Sequence, residues 1–202
     1  MRWVPIILAI CIIGVASWAA GPAETQPSSP LFNGHDLSGW NIPDPNLYWK
    51  ASDGVMVGNA SAGTKDADLF TQRKDFKDLE FETEYRCLAE ADSGVDIRGA
   101  IQVQIGISSK LKIDKTASIY QEHPSGGYVG DAGDVSKFLK PGDWNKLRFI
   151  ARGNNIKVWL NDQQVIDFDI SKYPNAGPIG LQLHSGAKNK IEFRNMNVRE
   201  LK

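Results

Sequence analysis

The stretch SGVDIRGAIQVQIG, residues 93–106, carries two sets of side chains at a period of two. Val95, Ile97, Ile101, Val103 and Ile105 fall on odd positions, and an extended chain sends them all to one side. The even positions hold Asp96, Arg98, Gln102 and Gln104, whose carboxylate, guanidinium and amides have flat, fixed hydrogen-bonding geometry. A half-solvated antiparallel strand shows such alternation by default. A ligand-binding face shows it too, and both readings stand on this stretch alone. GPIGLQLHSG (177–186) repeats the pattern, with Gln182 and His184 opposed to Ile179, Leu181 and Leu183. In LEFETEYRCL (79–88), Leu79, Phe81, Tyr85 and Cys87 oppose Glu80, Glu82, Glu84 and Arg86.

Other reactive residue types are less suggestive. His35, His123 and His184 are scattered, with no spacing that predicts a metal. The Gly-rich segment 121–143 carries Asp131, Asp134 and Asp143 and has the length of a binding loop or lid, but it matches no calcium-loop motif. Cys87 shares the parity of large apolar residues, so the spacing predicts a buried, inert thiol rather than a nucleophile.

The elements that must position these residues are strands. Short runs rich in β-branched and aromatic residues are separated by clusters such as DG (53–54), GNN (153–155) and ND (161–162). Residues 145–168 read as a hairpin around Gly153 to Asn155 with a second turn at Asn161 and Asp162. A turn at DVSKFL (134–139) is the nearest approach to helical periodicity. Two stacked antiparallel sheets are the natural packing for such a list.

With 202 residues, one domain accommodates the chain, and a net charge of -1 without dense Lys/Arg clusters argues against a nucleic-acid partner. MRWVPIILAICIIGVASWAAGPA opens with one basic residue and an apolar run, and Ser17 and Ala19 are small residues suited to cleavage after Ala19. The expectation is a signal peptide over 1–19, a flexible Pro/Ser linker over 20–30, and a domain over 31–202 that is periplasmic or secreted, with no stable membrane insertion. An uncleaved N-terminal membrane anchor is the alternative. Loss of Cys11 with the signal leaves Cys87 without an intramolecular disulfide partner.

LFNGHDLSGW (31–40), SGVDIRG with QVQI (93–105), SIY (118–120), GDWNKLRFIARGNNIKVWLND (142–162) and GPIGLQLH followed by FRN (177–195) together resemble the successive motifs of the DUF1080 family, named for 3-keto-disaccharide hydrolase or 3-keto-glucoside lyase and hydratase activity. The resemblance implies an all-β jelly-roll sandwich similar to concanavalin A-like lectins and glucanases, with a saccharide held on one sheet face. It also implies a substrate oxidised to a ketone at C3, whose C2 hydrogen is acidic enough for β-elimination of the C1 substituent, followed by hydration. Such chemistry needs a base, an oxyanion holder and an acid. On this basis His184 is a candidate base or acid, Arg98 a candidate enolate holder, and Asp96 and Glu84 alternative bases. Gln102, Gln104, Tyr120 and Gln182 are candidate hydroxyl ligands, and Trp40 and Trp144 candidate stacking platforms. No cofactor is expected, and nothing in the spacing supports a divalent metal. Many members of the family carry Glu at the position of Gln102, and an amide cannot take a proton. A non-catalytic carbohydrate-binding module of the same fold is therefore the alternative, with a structural domain bearing a wet polar face as a third reading.

Overall fold

The stretches with a period of two become strands. In the computed structural model, which describes residues 26–60, 67–121 and 126–202, these are β1 (Ser29–Pro30), β2 (Trp40–Asn41), β3 (Trp49–Ser52), β4 (Val55–Ala60), β5 (Leu69–Thr71), β6 (Leu79–Cys87), β7 (Asp92–Ile97), β8 (Ile101–Gly106), β9 (Ile119–Gln121), β10 (Gly127–Gly130), β11 (Asn145–Arg152), β12 (Asn155–Leu160), β13 (Gln163–Asp169), β14 (Ile179–Leu183) and β15 (Asn189–Glu200). No helix occurs among the described residues. The turn expected at 134–139 is a single one, with the N–H groups of Phe138 and Leu139 donating to the carbonyl of Val135.

All strand pairs are antiparallel and form two sheets. The larger runs β13-β12-β11-β6-β15-β4-β3 with β1 added along β15, and the smaller runs β10-β9-β8-β7-β14-β5-β2. This is the two-sheet antiparallel sandwich that the residue pattern predicts, of the jelly-roll type that the family resemblance implies. The hairpin turn between β12 and β13 uses Asn161 and Asp162 at φ of 47° and 66°, the left-handed conformations that Asn and Asp tolerate and that match strand twist.

The core is made by one parity from each sheet. Leu79, Phe81, Leu147, Phe149, Ile191 and Phe193 of the larger sheet and Val95, Ile97, Val103, Ile105, Leu181 and Leu183 of the smaller are 0% exposed. Phe81 and Phe149 stack with ring centroids 5.0 Å apart. On the outer face of the larger sheet the opposite parity is charged and paired across strands, as with Glu80 between Arg148 and Arg199, and Arg86 with Glu192.

Ser29 and Pro30, assigned to the linker, pair with Val198 and Asn197 of β15. The expected signal segment 1–19 and His123 lie outside the described residues.

Candidate functional site: a polar floor on the smaller sheet

The outer face of the smaller sheet is assembled by strand register. Gly180 of β14 pairs with Asp96 of β7 and Phe70 of β5; Asp96 pairs with Gln102 of β8; Gln102 pairs with Tyr120 of β9, and Tyr120 with Tyr128 of β10. One transverse row therefore reads Phe70, Gly180, Asp96, Gln102, Tyr120, Tyr128. The next row sets Gln182 against Gly94, and Gly94 against Gln104. Beyond it His184 donates its main-chain N–H to the carbonyl of Asp92 at 3.1 Å.

This face is polar and dry. Asp96 is 3% exposed, Gln102 0%, Gln104 2%, Gln182 7% and Asp92 8%. The half-solvated reading of the alternation is thereby overturned, since both parities of β7 and β8 are buried. Buried polar groups must find partners, and Gln182, Gln102, Gln104 and Asp92 do so in one chain. Gln102 Nε2 lies 2.9 Å from Gln104 Oε1, 3.1 Å from Gln182 Oε1 and 3.2 Å from the Ser93 carbonyl. Gln104 Nε2 donates to Asp92 Oδ1 at 2.7 Å, and Asp92 Oδ2 accepts from the main-chain N–H of Ser109 at 2.6 Å. Gln102 Oε1 is buried and has no hydrogen-bond partner among the described residues.

Two glycines make the floor possible. A Cβ on Gly94 would lie 2.2 Å from Gln102 Nε2, because the Gln102 side chain folds over that position. A Cβ on Gly180 would lie 2.6 Å from the Phe70 ring and 2.9 Å from Asp96 Oδ2. Glycine in a strand thus marks close approach, here of side chains from neighbouring strands. Phe70 lays an aromatic ring beside Asp96, and at the other end Tyr120 and Tyr128 meet edge to face at 5.2 Å. Lys115 Nζ stands 5.7 Å from the Tyr128 ring, and burial pushes the Tyr128 phenol up to about 12.

The structure brings together Asp96, Gln102, Gln104, Gln182 and Tyr120, with His184 two rows away from Asp96. It does not bring Arg98 or Glu84 to them. Arg98 shares parity with Asp96 on paper, but it opens the β7–β8 turn at φ 55°, and the left-handed backbone redirects its side chain. Its guanidinium reaches away from the face and donates to the carbonyl of Lys77 and to Asp78, in the connection leading into β6, and to the carbonyl of Gly153 in the β11–β12 turn. Burial lowers its pKa from the usual arginine value, with Asp78 opposing that effect. Glu84 belongs to β6 of the larger sheet, on the opposite side of the sandwich, where Arg194 Nε and Asn195 Nδ2 donate to its carboxylate at 2.7 Å.

The aromatic expectations also change. Trp40 is a core residue at 1% exposure. Trp144 lies on the Glu84 side, between the guanidinium groups of Arg194 (4.0 Å) and Arg86 (4.7 Å). The ring that does lie on the polar face is Phe70, and Asp92 is the anchor of its hydrogen-bond chain. Parity could have suggested both, since Phe70 alternates with Leu69 and Thr71, and Asp92 with Ser93; neither parity reveals which neighbours lie across the sheet. Among the described residues no group of three or more His, Cys, Asp or Glu side chains converges as metal ligands would. His35 is exposed, far in sequence from this face.

Comparison with known proteins adds to this geometry. Residues 27–199 match the family model described as a 3-keto-alpha-glucoside-1,2-lyase-like domain. No curated protein matches the chain. A crystal structure of a "putative glycosyl hydrolase" from Parabacteroides distasonis ATCC 8503 is 25% identical, with 87% of this chain and 100% of that chain covered at a TM-score of 0.67. The carbohydrate-binding module CBM66 from Bacillus subtilis superposes at a TM-score of 0.61 with 16% identity, over 80% of this chain and 96% of that one. The exoplasmic/lumenal domain of VIP36, in a form bound to Ca2+ and Man3GlcNAc, superposes at 0.59 with 10% identity, over 81% and 85%. The last two show the fold alone.

Proposed function

This chain belongs to the 3-keto-alpha-glucoside-1,2-lyase-like domain family, and from that premise we propose that it is an exported enzyme that acts on 3-keto-glycosides across the outer face of the smaller sheet. The observation that carries the reading is the row Phe70, Asp96, Gln102, Tyr120, in which a carboxylate stands between an aromatic platform and a hydroxyl-binding amide. The relatives named for glycosyl hydrolysis and carbohydrate binding support a saccharide as the ligand.

The chemistry proceeds in two balanced steps. The C3 carbonyl acidifies the C2 hydrogen; Asp96 takes that proton, and the C–H electrons form an enolate between C2 and C3. The enolate collapses, a C1–C2 double bond forms, and the C1–O bond breaks as the leaving oxygen receives a proton. Water then adds its hydroxyl to C1 and a proton to C2, so the sum is hydrolysis. Tyr120, in the same row as Asp96, is placed to donate to an oxygen of the sugar. His184 stands four residues along the sheet from Asp96, about 13 Å at the usual strand rise, which sets it apart from both C2 and the leaving oxygen on the adjoining C1. Phe70 supplies a ring face on which the sugar's C–H surface packs.

The test is turnover of methyl 3-keto-glucoside by the wild type and by Asp96→Asn. We expect the variant to lose at least about 100-fold in kcat while retaining affinity, the range typical of a lost general base. Equal turnover removes Asp96 from the role. The second reading, a binding module without turnover, is favoured by the neutral amide of Gln102 beside Asp96. Saturable binding without product in the wild type would establish it.

A further inference from the structure

At the end of the sandwich a cleft opens between β6 and the segment that follows β8. We propose that it is a second ligand site, which takes a compact, largely apolar, non-anionic molecule and receives a hydrogen-bond acceptor of that molecule at the Tyr85 hydroxyl. The site is separate from the polar floor, since neither Asp96 nor Gln102, Gln104, Gln182 or Tyr120 lines it.

Both sheets build the cleft. Tyr85 and Cys87 come from β6 of the larger sheet, Gly106 from the end of β8 of the smaller, and Ile107, Thr116 and Leu139 from the loops around them. Ligand sites are typically clefts of this kind, mostly apolar with a few convergent polar groups. A cavity of about 150 Å³ holds one benzene ring, so a volume of about 340 Å³ suits a bicyclic molecule. The buried polar side chains along it differ in what they leave open. Asn145 is engaged at both ends: its Oδ1 accepts from the Lys140 N–H and from Asn161 Nδ2, and its Nδ2 donates to the carbonyls of Lys140 and Asp143. Thr116 Oγ1 accepts from the Gly106 N–H at 2.9 Å. Tyr85 is 1% exposed, and its hydroxyl has no hydrogen-bond partner among the described residues. The groups that act on this phenol are Cys87, Asp114 and Thr116, which all line the cleft, so the hydroxyl stands at the cleft's inner wall. Thr116 is near enough to favour the phenolate slightly but closes no hydrogen bond with it. Burial, with Cys87 and Asp114 adding to it, holds the phenol well above its ordinary range, so it keeps its proton and offers a donor. Buried hydroxyls are rarely left unpaired, and an acceptor on a ligand satisfies this one.

Charge and apolar surface set the other limits. Asp114 and Glu90 place two carboxylates on the cleft against the single ammonium of Lys140, a balance that disfavours an anion. Leu88, which also lines the cleft, is 41% exposed, and Leu111 and Ile113 stand exposed on the loop that carries Asp114 and Thr116. Three of the exposed large apolar side chains among the described residues thus lie on segments that form this cleft, where an apolar ligand would cover apolar surface.

The test uses two bicyclic probes that differ at one ring atom, naphthalene and quinoline, with 2-naphthoate as the anion. They are titrated into the folded protein at mildly alkaline pH, where quinoline is uncharged, and backbone amide NMR shifts of Leu88, Ala89, Ile107 and Leu139 report occupancy. Saturable shifts at these amides are expected with both neutral probes, with 2-naphthoate at least about fivefold weaker than naphthalene. Ala89→Trp, at an exposed position lining the cleft, should weaken both neutral probes at least about tenfold by filling the space they need. The ratio of the two neutral Kd values reads the hydrogen bond itself. Tyr85→Phe should weaken quinoline relative to naphthalene by about fivefold, and the difference in hydration between the probes cancels in that comparison. Because the variant deletes an unpartnered hydroxyl, the empty protein should resist urea at least as well as the wild type. An earlier unfolding midpoint would mean that the hydroxyl has a structural partner, which overturns its assignment to a ligand. Absence of saturable shifts, binding that Ala89→Trp leaves unchanged, or an unchanged ratio in Tyr85→Phe each overturns the proposal, and 2-naphthoate binding as tightly as naphthalene overturns the exclusion of anions.

Discussion

The thiol of Cys87 and the carboxylate of Asp96 are both partly or wholly buried, and burial gives them opposite uses. Asp96 lies beside the Gln102 amide on the face proposed to hold the saccharide. Cys87, at the end of β6, lines a cleft of about 340 Å³ with Leu88, Ala91 and Leu139, and burial followed by the nearby Asp114 carboxylate pushes its thiol up to about 12. A thiol reacts as its thiolate, so a raised value means less reactive form at any pH below it. From an ordinary value of 9.0 the shift predicts alkylation by iodoacetamide at pH 8 slowed by about 1,000-fold in the folded chain starting at Ala20, with the rate still rising tenfold per pH unit up to pH 11. Labelling kinetics at several pH values check this, and a plateau near pH 9 would refute it. The apolar side on which Cys87 lies was legible from parity; its half-buried position at the end of β6 was not. The role proposed for Asp96 was legible only as one of several candidates, because Glu84 shows the same alternation.

At the scale of elements, β7 and β8 depend on a missing side chain. Gly94 leaves the space over which Gln102 folds, so Gly94→Ala must displace an amide held by three oxygens. The expected cost is about 2 to 3 kcal/mol, from buried acceptors left without donors, together with loss of saccharide affinity. Gly127 of β10 has nothing within 4 Å of an added Cβ, and Gly127→Ala should change stability by less than about 0.5 kcal/mol. Urea titrations of the two variants separate close packing from the general effect of removing a strand glycine. Equal destabilisation in both would mean that the Gln102 amide is not locked. In the sequence Gly94 is an interruption of SGVDI; what fills the space is a residue eight positions later, brought there by the β7–β8 register.

For the molecule as a whole, Arg98 is a tie between sheets. Its side chain is 3% exposed, and from a turn on the smaller sheet it satisfies the carbonyls of Lys77, in the connection leading into β6, and of Gly153, in the β11–β12 turn of the larger sheet. Arg98→Met should lower stability by about 2 to 3 kcal/mol, since those carbonyls lose their donors, while kcat per folded molecule stays near the wild-type value. Denaturant unfolding paired with turnover at a temperature where the variant is folded distinguishes this from an enolate-holding role, which would collapse kcat at unchanged stability.

The sequence by itself determined what depends on neighbours in the chain. Parity separated core from face in β6, β7, β8 and β14; turn residues placed the β12–β13 hairpin; and the order of motifs pointed to the sandwich and the family. Tertiary structure decided what depends on contacts between distant strands. Register brought Phe70, Asp96, Gln102 and Tyr120 into one row, and the assignment of β6 to the larger sheet removed Glu84 to the far side. A single left-handed residue turned Arg98 from ligand candidate to structural tie. The physical reason is that a strand's own dihedrals fix which side a residue faces, whereas the partner it meets across the sheet is fixed only when the sheets pair and close on their common core.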